Sequence, residues 1–141
     1  MFITFKPDGD PPQDWDIDID DVTESAAERI ERQYRKATAD NSLTYDHFRL
    51  SVYQGGATAR RVLLWHLMRE VHPSLRFEDT PDFRRKQLKV EFSRGELKVM
   101  RDQVADKVGN AAERQVALDL LDAEILTARD SLADPDESGK A

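Results

Sequence analysis

Near the start of the chain, aspartates alternate with apolar residues in the segment DWDIDID. They are Asp14, Asp16, Asp18 and Asp20. Carboxylates at alternate positions open the calcium loop of an EF-hand, but that loop needs a glycine at its sixth position and a glutamate at its twelfth. Those positions hold Ile19 and Ser25. The spacing therefore predicts the solvent-facing side of a β-strand and no metal site.

No other group of residues has the spacing of a catalytic or cofactor site. The three histidines are His47, His66 and His72, and no pair of them has the separation typical of zinc ligands. The chain has no cysteine, which excludes thiolate chemistry and disulfides. Gly55-Gly56 lacks the Lys-Ser/Thr of a phosphate-binding loop and is predicted to end a helix. We expect no metal, no cofactor and no enzymatic activity.

Charge and hydropathy restrict the partners. Basic residues cluster at Arg60-Arg61 and at Arg84–Lys86 with Lys89, yet the formal net charge is −7. An acidic chain repels nucleic acid, so these clusters are equally well explained as contacts for the aspartates within one chain or between subunits. No apolar run approaches the ~20 residues that span a bilayer, and the first residues lack the pattern of a signal peptide. We expect neither nucleic acid nor membrane as a partner.

The elements that position these residues are mainly helical. Phe2–Phe5 and the aspartate segment predict a small N-terminal hairpin, and KQLKVEF (86–92) predicts a strand that could pair with it. Helices are predicted to start near Thr23 (capped by Asp21 or Thr23), after Thr44, at about Ala57 (ending at Val71), after Ser93 and at about Ala111. The fold class is therefore mainly α, a compact bundle of about five helices with a small N-terminal β-hairpin or short sheet.

The last helix, predicted over 111–132, has apolar residues at alternating steps of three and four. They are Leu118, Leu121, Ile125, Ala128 and Leu132. This spacing is typical of a coiled-coil seam, which either packs in the core or docks on another protein. The candidate partner-binding residues are Leu118, Leu121, Ile125 and Leu132.

The order of motifs over residues 15–92 resembles that of tail assembly chaperones of long-tailed (siphovirus-type) phages of actinobacteria. The matching residues are Trp15, Asp16–Asp21, Val22, Thr23, Ala26, Ile30-Glu31, Thr44, Tyr45, Phe48, Gly56, Ala59, Leu64-Trp65, Arg69, Pro73, Leu75, Phe77, Glu78, Asp79 and Phe83. The chain departs from the family in a polar insertion at Lys36–Ser42 and in a basic run reduced to Arg69. The two helices after residue 93 match no motif of the family.

The resemblance implies a non-enzymatic protein of the host cytoplasm. It would bind the phage tape-measure protein, help to recruit the tail tube protein and leave the finished particle; self-association is a further expectation. The alternatives are an acidic helical regulator that binds proteins, or a permanent structural component of the phage tail or head–tail junction.

With the family in view, residues 1–133 are expected to form a single helical domain. Its parts are an acidic hairpin segment (1–21), a family-like core (22–92) and a C-terminal helical pair (93–133). A disordered tail would follow over 134–141. The family often makes a second, longer product by ribosomal frameshifting, and the codons of Gly139-Lys140 could form a slippery run; alternatively, the pair is an ordinary part of a polar tail.

Overall fold

The computed structural model describes residues 1–107 and 109–135. In this part of the chain five α-helices accompany one three-stranded antiparallel sheet, which confirms the predicted fold class. The elements are β1 (Phe2–Phe5), β2 (Gln13–Asp16), α1 (Glu24–Thr38), α2 (Tyr45–Gln54), α3 (Ala57–Met68), β3 (Leu88–Glu91), α4 (Arg94–Lys107) and α5 (Ala111–Thr127). No helix among the described residues is long and apolar enough to cross a membrane.

The contacts of the chain group into two compact units. The sheet unit comprises Met1–Asp18 and Leu88–Ala141, and the three-helix unit comprises Ile19–Gln87. The second unit nearly coincides with the family-like core predicted over 22–92. The expectation of a single domain over 1–133 stays a prediction.

In the sheet unit, β1 is the central strand, with β2 on one side and β3 on the other. Ile3 pairs with Trp15 in β2 and with Val90 in β3, so both predicted strand pairings are confirmed. Burial alternates along the acidic segment, where Trp15 and Ile17 are half-buried between exposed aspartates. This is the period-two pattern expected of a sheet with one covered face.

In the three-helix unit, each helix starts or ends at a residue suited to that position. Thr23 accepts a hydrogen bond from the Ala26 N–H and caps α1. Thr44 caps α2, and the ring of His47 accepts from the Thr44 N–H to complete a capping box. Gly55 ends α2 at φ +87°, a left-handed conformation that glycine adopts without a Cβ clash.

The core of this unit is formed by one face of α1, one face of α2 and most of the circumference of α3, where four consecutive residues are buried. Its buried side chains are Ala26, Ile30, Tyr34, Phe48, Val52, Ala59, Val62, Leu63, Leu64, Trp65 and Leu67. The indole N–H of Trp65 donates to the Leu75 carbonyl at 3.0 Å and so holds the following loop against α3. Trp65 is therefore a structural residue.

Two helices are shorter than predicted. The third was expected to reach Val71 but ends at Met68, because the next N–H groups bond three residues back, Glu70 to Leu67 and Val71 to Met68, in tight turns before Pro73. The fifth was expected to reach Leu132 but ends at Thr127. Hydrogen bonds made by Arg94 account for that end, as shown below.

Asp134, where the disordered tail is predicted to begin, makes hydrogen bonds to residues around the start of α4. Its carboxylate accepts hydrogen bonds from the Ser93 hydroxyl and from the N–H groups of Gly95 and Ser131. Residues 136–141 of the predicted tail, including Gly139-Lys140, lie outside the described residues.

Candidate partner-binding surface

The helical pair α4–α5 contains all the predicted partner-binding residues except Leu132. Each of the two helices starts at a residue that caps it. Ser93 begins α4 with the predicted capping box: its hydroxyl accepts from the Glu96 N–H, and the Glu96 carboxylate accepts from the Ser93 N–H. Asn110 caps α5 by accepting from the Glu113 N–H at 3.0 Å. Because these caps satisfy N–H groups that a helix start leaves unpaired, they fix where both helices begin.

The end of α5 is fixed by Arg94 at the start of α4. Its guanidinium donates to the carbonyl oxygens of Ile125 (3.2 Å) and Ala128 (2.8 Å), and its backbone N–H donates to the Arg129 carbonyl. A cation at a helix C-terminus also interacts favourably with the helix dipole. One side chain therefore ends α5 and holds the two helices together.

Two carboxylates order the segment after α5. Asp16 of β2 accepts from the Ser131 hydroxyl at 2.8 Å and from the Leu132 N–H at 3.3 Å. Burial raises the pKa of Asp134, but its hydrogen bonds from Ser131, Ser93 and Gly95 outweigh burial, so the net pKa is lowered. The segment is therefore held to both β2 and α4.

The predicted seam divides into two parts in the structure. Leu118, Leu121 and Ile125 are half-buried on one side of α5, and α4 is the element that α5 packs against. Leu132 lies beyond the helix and its side chain is fully exposed. In the structure Leu118, Leu121 and Ile125 therefore lie together on the helix that packs against α4, whereas Leu132 is separated from them. That these four residues bind a partner stays a prediction.

A second apolar surface lies on the opposite side of α5. We call it the outer strip, formed by Val116, Leu120 and Ala123 with Leu126 at its edge. Successive residues of an α-helix are rotated by about 100°, so the first three lie on one face of α5, roughly opposite the face that carries the seam. Val116 is 62% exposed, Leu120 63% and Leu126 81%. The sequence analysis does not predict this strip, because it considers only the apolar residues of the seam. The strip could have been predicted from the apolar residues that occur on the other side of the same helix.

Acidic side chains flank the outer strip. Glu113, Asp119 and Glu124 are exposed on α5, and Asp119 accepts a hydrogen bond from Gln115. Asp122 instead pairs with Arg101 of α4, and that hydrogen bond raises the pKa of Arg101. The charge beside the strip is therefore negative.

The other sequence candidates have structural roles. Asp14 accepts a hydrogen bond from Arg129, and this bond is the main cause of the lowered pKa of Asp14. His66 is half-buried in α3, and burial lowers its pKa. In residues 1–107 and 109–135 no three His, Cys, Asp or Glu side chains are grouped to hold a metal ion.

Comparison with models of protein families, with curated proteins and with solved structures finds no match to this chain.

Proposed function

We propose that this chain is a phage tail assembly chaperone, which binds the tape-measure protein, helps to recruit tail tube subunits and is absent from the mature particle. The order of motifs between Trp15 and Phe83 supports the family. The observation that carries the proposal is the outer strip of α5, an exposed apolar stripe on a short helix. Exposed apolar patches of this kind are typical of protein interaction sites.

The shape of the strip suits one helix of a partner. Val116, Leu120 and Ala123 recur at steps of four and three, which is the spacing that one helix presents to another. The tape measure in this proposal supplies an amphipathic helix that lies along α5. The acidic residues beside the strip favour a partner helix whose own flanks are basic.

The size of the strip favours reversible binding. Full burial of a Val or Leu side chain contributes about 1.5–3 kcal/mol. Two or three such residues give a total comparable with the ~4–15 kcal/mol lost in restricting two molecules to one complex. Each contact is then weak, and several copies of the chain can hold one long tape measure and be displaced by tube subunits.

The test is binding to a purified fragment of the tape-measure protein from the same phage, measured by isothermal titration calorimetry. The double variant Val116→Asp/Leu120→Asp should weaken binding at least tenfold, because it places charge in the strip without touching the seam. Leu50→Asp is the matched control, since Leu50 is 47% exposed on α2 and lies outside the strip. Equal binding by all three proteins would remove the outer strip from the proposal.

The alternatives give different results in particles and in solution. A permanent structural component would be found by mass spectrometry in purified phage particles at a fixed copy number, whereas the chaperone is found only in infected cells. A regulator of host proteins would leave the tape-measure fragment unbound. Light scattering at several concentrations tests whether the outer strip instead joins two copies of the chain.

A further inference from the structure

In the described part of the chain, most basic residues of the three-helix unit have no carboxylate partner, although Arg35 pairs with Glu31 and Arg76 with Asp79. Four of the residues without one are Arg60, Arg84, Arg85 and Lys86. Among residues 1–107 and 109–135, no Asp or Glu oxygen lies within 4.0 Å of the four. The sequence clusters at 60–61 and 84–86 thus include cations that the described fold leaves unneutralised.

Two of these arginines converge on one point of the surface. Arg60 extends from α3, and Arg85 extends from a short 3-10 turn at Arg85–Gln87. A Cβ placed on Gly55 would lie 3.6 Å from a terminal nitrogen of Arg85 and 3.9 Å from one of Arg60. Gly55 has no side chain, so both guanidinium groups lie beside open backbone at the end of α2.

Helix capping explains only one of them. The Arg60 Nε–H donates to the Val52 carbonyl at 3.1 Å, so Arg60 satisfies the C-terminal end of α2. Arg85 makes no such contact among the described residues and is exposed. Burial lowers the pKa of Arg60 and the charge of Arg85 lowers it further, without any acidic group acting in the other direction. The fold therefore holds two like charges together at a cost that a bound anion would offset.

We infer that Arg60 and Arg85 form an oxyanion site beside Gly55 that takes a carboxylate of an acidic peptide segment. Guanidinium groups present parallel N–H donors that match the two oxygens of a carboxylate. Arg84 and Lys86 are exposed next to the pair and extend the positive surface to a second acidic residue of the same segment.

The charge of the three-helix unit favours a peptide over a polynucleotide. Residues 19–87 carry twelve Lys or Arg and eleven Asp or Glu, a net charge of +1, so the net negative charge of the chain lies entirely in the sheet unit. A nearly neutral unit does not repel one or two carboxylates. Nucleic acid binding, in contrast, rests on many phosphate contacts across a broadly basic surface.

The experiment is an NMR titration of the full chain that follows the Nε–H signals of Arg60 and Arg85. The probes are a hexaglutamate peptide, inorganic phosphate and a single-stranded DNA 12-mer. We expect hexaglutamate to shift both signals and the variant Arg85→Gln to weaken binding about tenfold or more, as loss of a charge-assisted pair does. Arg32→Gln is the control, because Arg32 is an exposed arginine of α1 in the same unit and should leave binding unchanged.

The second variant, Arg85→Lys, keeps the charge but removes the paired N–H donors of the guanidinium, so we expect an intermediate loss of hexaglutamate affinity. If Arg85→Gln does not fold, Arg85→Lys alone tests the site. Unchanged binding in both variants would overturn the site, as would Arg60 and Arg85 signals that do not respond to hexaglutamate. Tighter binding of the DNA, or phosphate binding as tight as hexaglutamate, would overturn the assignment to an acidic peptide.

Discussion

Asp134 provides the sharpest test of how the end of the described chain is held. One carboxylate oxygen accepts from the Ser93 hydroxyl at 2.6 Å, and the other accepts from the N–H groups of Gly95 (3.0 Å) and Ser131 (2.9 Å). Ser93 is fully buried, so its hydroxyl has no ready replacement by water. We predict that Asp134→Ala lowers the free energy of unfolding by about 2–3 kcal/mol.

That magnitude follows from the three bonds. A hydrogen bond to a charged group contributes about 1.5–3 kcal/mol, but Asp134 is half-exposed and water can replace part of the loss at the two N–H groups. Asp134→Asn keeps one acceptor oxygen and should cost about 1 kcal/mol. The control is Asp130→Ala, which removes an exposed ion pair with Arg94 and should cost no more than about 0.5–1 kcal/mol.

Urea unfolding followed by circular dichroism gives the three values, and pH adds an independent check. The pKa of Asp134 is lowered in the folded chain, so its contribution is present above the unfolded carboxyl pKa of about 3.9 and is lost as pH falls through its folded pKa. The difference between the natural chain and Asp134→Asn should therefore shrink at acidic pH. An Asp134→Ala variant as stable as the Asp130→Ala control would refute this reasoning.

Four further predictions concern the core and the seam. Leu121→Asp with Ile125→Asp should reduce helical circular dichroism, because the seam is half-buried against α4; a folded double variant that no longer binds the tape measure would instead make the seam a docking face. Phe48→Ala should lower the free energy of unfolding by about 3–5 kcal/mol, since Phe48 is fully buried, and a loss below 1 kcal/mol would contradict that packing. Trp15→Ala should cost only about 1–2 kcal/mol in the same assay, because Trp15 is half-buried on an outer strand. The pKa of His66 is lowered in the folded chain, so the free energy of unfolding should fall as the pH drops from about 6.5 towards that lowered pKa. His66→Gln should make the melting temperature less dependent on pH over that range.

The helix starts could be predicted from the sequence because capping is local. Thr44 and Ser93 each stand directly before an apolar helical pattern, and each caps the helix as predicted. For α1 the sequence predicts either Asp21 or Thr23 as the cap, since both have oxygens at a suitable distance along the chain. The structure selects Thr23.

The end of α5 and the order of the segment after it could not be predicted, because the responsible contacts connect distant parts of the chain. Arg94 bonds to carbonyls more than thirty residues away, and Asp134 is held by Ser93 and Gly95. Helical spacing alone continued the pattern to Leu132. The outer strip was missed for a different reason: exposure depends on which side of α5 meets α4, and spacing does not decide that.

We propose that the chain holds the tape-measure protein through the outer strip and thereby keeps it soluble. The most direct measurement is the soluble fraction of the full-length tape measure when it is expressed alone, with this chain, or with the Val116→Asp/Leu120→Asp variant. We predict an insoluble tape measure alone, a soluble complex with the natural chain and an insoluble tape measure with the variant. A tape measure whose solubility is the same in all three cases would contradict the account.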